Sequence, residues 1–178
     1  RCIVYLGGQS SVAASFERPM ETLISSAIVV QNFVESIRTN SLNIAFIHAS
    51  SSEIFGDRSQ MGPSNERSCH NPLSPYAIGK STASQIVKFY RDAYGLRCAN
   101  AFLSNHESVL RSKRFVLGKV RDGIKSIKQG KASQLVLGNI DISRDWGWAP
   151  EYSEALMLMI NDKACRDYII ATGESVTL

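Results

Sequence analysis

The sequence predicts an α/β fold, a doubly wound parallel sheet with helices on both faces. Three observations carry that prediction. Short apolar runs in the opening residues through Leu6, at 43–48 and at 98–103 have the length and saturation of strands covered on both sides. Between them, residues 20–38 and 75–94 repeat their apolar side chains every three or four positions, as core-facing helices do. Strand, helix and strand in succession build a parallel sheet, because parallel neighbours need a crossover long enough to hold a helix.

Taken in order, the opening strand runs into Gly7-Gly8, a turn whose glycines let backbone approach a ligand closely. The first long helix directs Leu23, Ala27, Val30, Val34 and Ile37 inward. After the strand at 43–48, residues 56–74 are polar and broken by Gly62, Pro63, Asn65, Asn71 and Pro72, which predicts a long loop of the kind that often carries function. Ser74 is a good N-cap and Pro75 suits the first helical position, so a helix starts there, lays down Ile86, Val87 and Tyr90 as a stripe, and stops at Gly95. A strand at 98–103 follows, and then a helix over 115–129 with Val116, Val120, Ile124 and Ile127 inward. Leu135, Val136 and Leu137 predict a further strand. The remainder reads as a core helix from Pro150 to Ile160 and a last strand at 168–171.

Composition narrows the classes. A chain of 178 residues, 44% of them hydrophobic, buries a core and is one domain or part of one. No apolar run reaches the ~18 residues of a membrane span, and no leader pattern opens the chain, so a soluble cytoplasmic protein with no membrane partner is expected. Cys2, Cys69, Cys98 and Cys165 form no C-x-x-C pair, which argues against a zinc site or a disulfide framework. Cys69-His70 has no second ligand pair, so no metal is expected and both residues read as surface structure. The net charge of +4 is concentrated between Arg111 and Lys131. Without an aromatic platform this basic stretch suits a phosphorylated small molecule better than a nucleic acid.

The chemistry gathers between Ser50 and Lys80. Tyr76 and Lys80 stand four residues apart on one helical face, which sets an ammonium beside a phenol. A cation within ~4–6 Å favours the phenolate and makes the tyrosine able to exchange a proton near neutral pH. Ser51 and Glu53 fall just past the carboxyl end of the 43–48 strand, where open α/β sheets bind ligands. Hydroxyl, carboxylate, phenol and amine can therefore converge on one substrate. The plainer reading of such a Tyr and Lys is a solvated pair.

Ser50-Ser51-Ser52-Glu53 and Ser74-Pro75-Tyr76-Ala77-Ile78-Gly79-Lys80 resemble the extended short-chain dehydrogenase/reductases, and among them the GDP-mannose 4,6-dehydratases, whose pattern is Ser-Thr-Ser-Glu followed by Ser-Pro-Tyr-Ala-x-x-Lys. Ser51 stands where that family has threonine. The resemblance implies a Rossmann-like fold, bound NADP with NAD as the alternative, a nucleotide-sugar substrate and a homo-oligomer. It also implies the roles. Tyr76, assisted by Lys80, would take the proton of the sugar 4-hydroxyl, and Glu53, helped by Ser51, would eliminate water across carbons 5 and 6. Leu6, Gly7, Gly8, Gln9 and Ser10 look like a cofactor loop, with Ser10 also toward substrate and Gly8 in place of the family's alanine. Asn105-His106-Glu107-Ser108 resembles Asn-His-Glu-Ser-Pro, implying that His106 and Arg111 contact the cofactor while Asn105 faces the sugar nucleotide. Lys119 matches a lysine near the nucleotide. Arg144 offers a planar fork suited to a phosphate oxygen or to a neighbouring acid such as Asp141 or Asp145, and the family string around it favours the diphosphate. Glu21, Val109, Ser112-Lys113-Arg114 and Trp148 depart from the family pattern.

The Gly-x-x-Gly-x-x-Gly fingerprint is absent, so the expectation is an interior piece of a longer enzyme: 1–108 part of an NADP-binding Rossmann domain, and 109–178 a mixed region with substrate-binding elements and a returning Rossmann strand. Two other functions stay open. A nucleotide-sugar epimerase or reductase would use Tyr76 and Lys80 but not Glu53, and a silent binding module would keep the fold without the cofactor loop.

Overall fold

Saturated apolar strands separated by amphipathic helices leave few arrangements, and the computed structural model, which describes residues 1–57 and 62–178, adopts the expected one. Strands β1 (Cys2–Tyr5), β2 (Ala45–Ser51), β3 (Cys98–Leu103) and β6 (Tyr168–Ile170) form a parallel sheet in the order β1-β2-β3-β6. The register sets Tyr5 beside His48, His48 beside Asn100, and Leu103 beside Ile170. Alternation then divides the side chains. Phe46 and Cys98 join Val30, Val34, Ile37, Ala83 and Val87 in one core, while Ile47, Ala49, Ala99 and Ala101 pack with Tyr152, Leu156 and Met159 in another. Helices therefore cover both faces.

The first core is roofed by α4 (Pro75–Tyr94) and by a continuous helical run of α2 (Pro19–Leu23), a π-helical segment (Ile24–Ile28) and α3 (Val29–Thr39). A short α1 (Val12–Glu17), capped by Ser11 on the Ala14 N–H, precedes it. The expected α4 caps are present: Ser74 accepts from the Ala77 N–H, and Gly95 closes the helix at φ +67°. On the opposite face lies α6 (Ala149–Asn161).

The structure departs from expectation after residue 103. Leu135, Val136 and Leu137 are not a strand: Leu135 folds onto Gly123, where a Cβ would meet its Cδ1 at 2.6 Å, and Val136 is exposed. One anchor to α5 (Val116–Lys128) replaces a ladder. Ile124 and Ile127, expected inward, are exposed, and the buried position of α5 is Gly118. A second sheet forms instead from β4 (Asn105–Glu107), β5 (Ser143–Trp148) and β7 (Ser175–Thr177), with β4 and β5 parallel and β5 and β7 antiparallel. Asp145 on β5 accepts the backbone N–H groups of Thr172 and Gly173, which turns the chain from β6 into β7.

Candidate active site

β2 ends in Ser51, whose hydroxyl accepts the Glu53 N–H at 3.3 Å and caps a 3₁₀ turn over Ser52–Phe55. Ile54 and Phe55 are buried in that turn against Phe102 of β3, so the polar residues between them and the strand are held at the sheet's carboxyl edge. His70 packs edge-on against Phe55 and Phe102 and meets the Ser81 hydroxyl at 2.8 Å. It is half-buried rather than a surface residue, whereas Cys69 is exposed.

Tyr76 and Lys80 occupy adjacent turns of α4, both buried. Burial raises the Tyr76 phenol pKa above its ordinary value; the facing Ser51 hydroxyl and the Arg111 charge pull it down, and the Glu53 carboxylate pushes it up. Ser51, Glu53, Tyr76 and Arg111 thus share one electrostatic site. The expected pairing differs here. Lys80 Nζ donates to the Ala49 carbonyl at 2.7 Å, and the cation that acts on the phenol is Arg111. A backbone acceptor at the last turn of β2 takes up an ammonium that burial penalises, and burial lowers the Lys80 pKa to about 8.

Arg111 and a second arginine, Arg144, complete the edge. Arg111 pairs with Glu107 at 2.9 Å and lies over the Phe115 ring at 3.6 Å, which fixes its guanidinium beside β4. Burial raises the Glu107 pKa and Arg111 lowers it. Arg144, for which Asp141 and Asp145 were the candidate acid partners, reaches Glu53 at 3.5 Å. That contact ties β5 to the 3₁₀ turn. His106 Nδ1 donates to the Ser104 carbonyl at 2.9 Å, and since a carbonyl only accepts, Nδ1 carries the proton. Its ring stacks on Tyr152 with centroids 4.7 Å apart. Asn105 precedes it on β4, half-buried.

The loop of Leu6, Gly7, Gly8, Gln9 and Ser10 leaves the carboxyl end of β1. Gly8 has φ +99°, and a Cβ there would meet the Ser25 carbonyl at 3.0 Å. The π segment braces this loop: Ser25 Oγ accepts the Gln9 N–H at 3.3 Å, and the Ser25 carbonyl accepts the Tyr5 hydroxyl at 2.8 Å. Leu6 and Ser10 are exposed. Lys119 is exposed on α5, and its ammonium forms no ion pair among the described residues. Glu107, Tyr152 and Ser25 were not singled out as site residues. Glu107 sat inside a quoted motif, but Tyr152 and Ser25 belong to helices whose pattern signals only packing.

A family profile described as GDP-mannose 4,6 dehydratase matches residues 1–178. The chain belongs to that family. It is 41% identical over 177 residues to GDP-mannose 4,6 dehydratase 1 of Arabidopsis thaliana, covering 97% of this chain and 48% of the relative. It is 40% identical over 178 residues to GDP-mannose 4,6-dehydratase of Sinorhizobium fredii strain HH103, covering 99% and 50%. The chain therefore spans about half the length of the curated relatives it matches. Its fold is that of RMD from Pseudomonas aeruginosa complexed with NADPH, at a TM-score of 0.90 and 24% identity over 98% of this chain and 61% of that one. The dTDP-glucose 4,6-dehydratase DesIV from Streptomyces venezuelae, with NAD and TYD bound, superposes at a TM-score of 0.86 and 20% identity, covering 99% and 53%. The Rossmann-like parallel sheet and the membership of the dehydratases thus stand as expected from the sequence.

Proposed function

We propose that the protein is a hydro-lyase that removes water from GDP-mannose to give the 4-keto-6-deoxy sugar nucleotide. The observation that carries this is the meeting of Ser51, Glu53 and Tyr76 at the end of β2 in a chain of this family. Residues 1–108 supply the cofactor side and 109–178 the substrate elements. The family's cofactor, NADP with NAD as the alternative, fits the residues present: the Gly8 turn admits no side chain, and buried Lys80 offers an ammonium at the same sheet edge. Leu6, Gly7, Gly8, Gln9, Ser10, His106 and Arg111 would hold it together with Tyr76 and Lys80. Bound there, it would supply reversible hydride acceptance.

Tyr76 takes the proton of the 4-hydroxyl as that carbon is oxidised. Lys80, one turn along, is the cation that favours its phenolate once the ammonium leaves Ala49. The new ketone acidifies carbon 5; Glu53 removes that proton and, helped by Ser51, delivers one to the departing 6-hydroxyl, and the proton that Tyr76 took is given back at carbon 5 as carbon 6 is reduced. Asn105, Ser10 and Lys119 face the sugar nucleotide. Arg144 binds the diphosphate in place of Glu53, so substrate entry releases the carboxylate for its work. Each positioned acid or base typically contributes ~10²–10⁴ in rate.

Phe16, Met20, Ile24 and Ile28 are exposed at four-residue spacing along α1 and the α2 run, and Ile78 is exposed on α4, a surface suited to a second copy in a homo-oligomer. Among the described residues no helix is long and apolar enough to cross a membrane, and a cytoplasmic setting is the one proposed. The test is mass analysis of the product formed by the full-length protein from GDP-mannose. Loss of one water is expected; product formed at the normal rate by Glu53→Gln would remove the elimination step.

A further inference from the structure

Beneath the site runs a buried polar seam. His48 on β2 stands opposite Asn100 on β3, and neither reaches solvent to more than 1%. His48 Nδ1 lies 3.1 Å from Asn100 Oδ1. The carboxamide cannot be reversed, because Asn100 Nδ2 donates to the Ser84 carbonyl at 3.1 Å. Oδ1 only accepts, so Nδ1 carries the imidazole proton and Nε2 is left as a bare acceptor. Ser84 continues the seam into α4: its Oγ donates to the Lys80 carbonyl at 2.9 Å and meets Ser50 Oγ at 2.8 Å. The tautomer of His48 is thus fixed by groups that lead to the turn bearing Lys80.

Two underserved groups lie along this seam. His48 Nε2 is wholly buried and has no hydrogen-bond partner among the described residues. The Lys80 ammonium, also buried, carries three protons and gives one to the carbonyl of Ala49, the residue after His48. The Lys80 charge reaches the imidazole: burial first, and then that charge, hold the His48 pKa down at about 3. On this side of the sheet β2 presents the imidazole and β3 presents uncharged Asn100. The α2 run sets uncharged Ser26 and the Thr22 carbonyl against Gly79, the residue before Lys80. Glu53 and Arg111 act on Tyr76.

We propose that His48 is a positioning residue for Lys80, its bare Nε2 being the acceptor that receives the ammonium and keeps it charged inside the sheet edge. A neutral acceptor favours the charged amine, opposing the desolvation that lowers the Lys80 pKa to about 8. The kinetic consequence rests on the dehydratase reading, whereas the coupling itself does not.

The experiment follows the Lys80 side-chain signal by NMR titration in the full-length protein with cofactor, comparing His48→Leu and His48→Gln. Leucine removes the acceptor; glutamine restores one while still able to donate to Asn100. The Lys80 pKa falls by about one unit in the leucine variant and returns in the glutamine variant. The alkaline limb of the kcat profile for water loss moves down with it while KM for the nucleotide sugar holds; a merely structural loss would lower kcat at every pH without moving the limb. Should the leucine variant not fold, the imidazole nitrogen spectrum of the unaltered protein and of Lys80→Met decides. A displaced Nε2 signal in Lys80→Met supports the coupling, and an unmoved one overturns it, as does a Lys80 titration identical in the unaltered and leucine proteins. Absence of water loss from the unaltered enzyme would refute the dehydratase reading and leave the titration intact.

Discussion

Removing Asp167 should cost the fold more than any exposed ion pair. Its carboxylate grips the Arg91 guanidinium with two bonds of 2.6 and 2.9 Å and also accepts the Asn100 N–H at 2.7 Å. Arg91 reaches the Cys98 and Cys165 carbonyls as well, so one pair joins the end of α4 to β3 and to the chain entering β6. The side chains are 20% and 15% exposed. Breaking a fully buried pair costs about 3–5 kcal/mol, and an orphaned backbone N–H alone about 1–3 kcal/mol. With water at the rim, Asp167→Ala should lose about 3 kcal/mol. For a chain of this size that lowers Tm by roughly 6–12 °C. The assay is urea unfolding followed by circular dichroism, with Lys88→Ala as the control. Lys88 and Asp92 are each more than half exposed, and their pair should contribute under about 1 kcal/mol. A loss below about 1 kcal/mol for Asp167→Ala would refute the clamp.

Four further outcomes are expected. Tyr76→Phe should reduce kcat by about 10²–10⁴ while leaving the circular dichroism spectrum unchanged, because the ring still fills its place in the core. Arg144→Ala should raise KM for the nucleotide sugar about tenfold and leave the mass of the product the same, as steady-state kinetics will show. Gly8→Val combines an unfavourable φ with the close Ser25 carbonyl, so nicotinamide absorbance in the purified protein should fall severalfold. The last concerns acid. His48 is held neutral in the fold down to about 3, so between its unfolded value near 6.5 and that point the unfolded chain binds more protons. Stability is complete above about pH 6.5 and is lost as pH falls, by roughly 2 kcal/mol at pH 5. Urea midpoints at pH 7 and pH 5 measure it, and His48→Gln should remove most of the difference, leaving the smaller same-sign contribution of half-buried His70.

How much could be read in advance depended on the physics of each residue. Caps and periodicity are local, and so the Ser74 start, the Gly95 stop and the four-residue spacing of Tyr76 and Lys80 were legible. The destination of the Lys80 ammonium was not, since a carbonyl acceptor on β2 leaves no mark on composition. Three-residue strands such as β4 and β7 are too short to show alternation, while Leu135, Val136 and Leu137 show apolar character without a partner edge to use it. Arg144 illustrates the same limit: Asp141 and Asp145, close by in sequence, were obvious candidates, but the fold brings it Glu53 from the 3₁₀ turn after β2.

The π turn at Ile24–Ile28 has a mechanical implication. Each residue of an α-helix advances the azimuth by about 100°, so deleting one residue from this turn to make the helix regular would swing everything upstream through roughly that angle. Ser25 would then leave both Tyr5 and Gln9. Helical phase at one wide turn thus indexes the glycine bend after β1, and a single-residue deletion well before β2 in the chain would misalign a surface that no deleted atom touches.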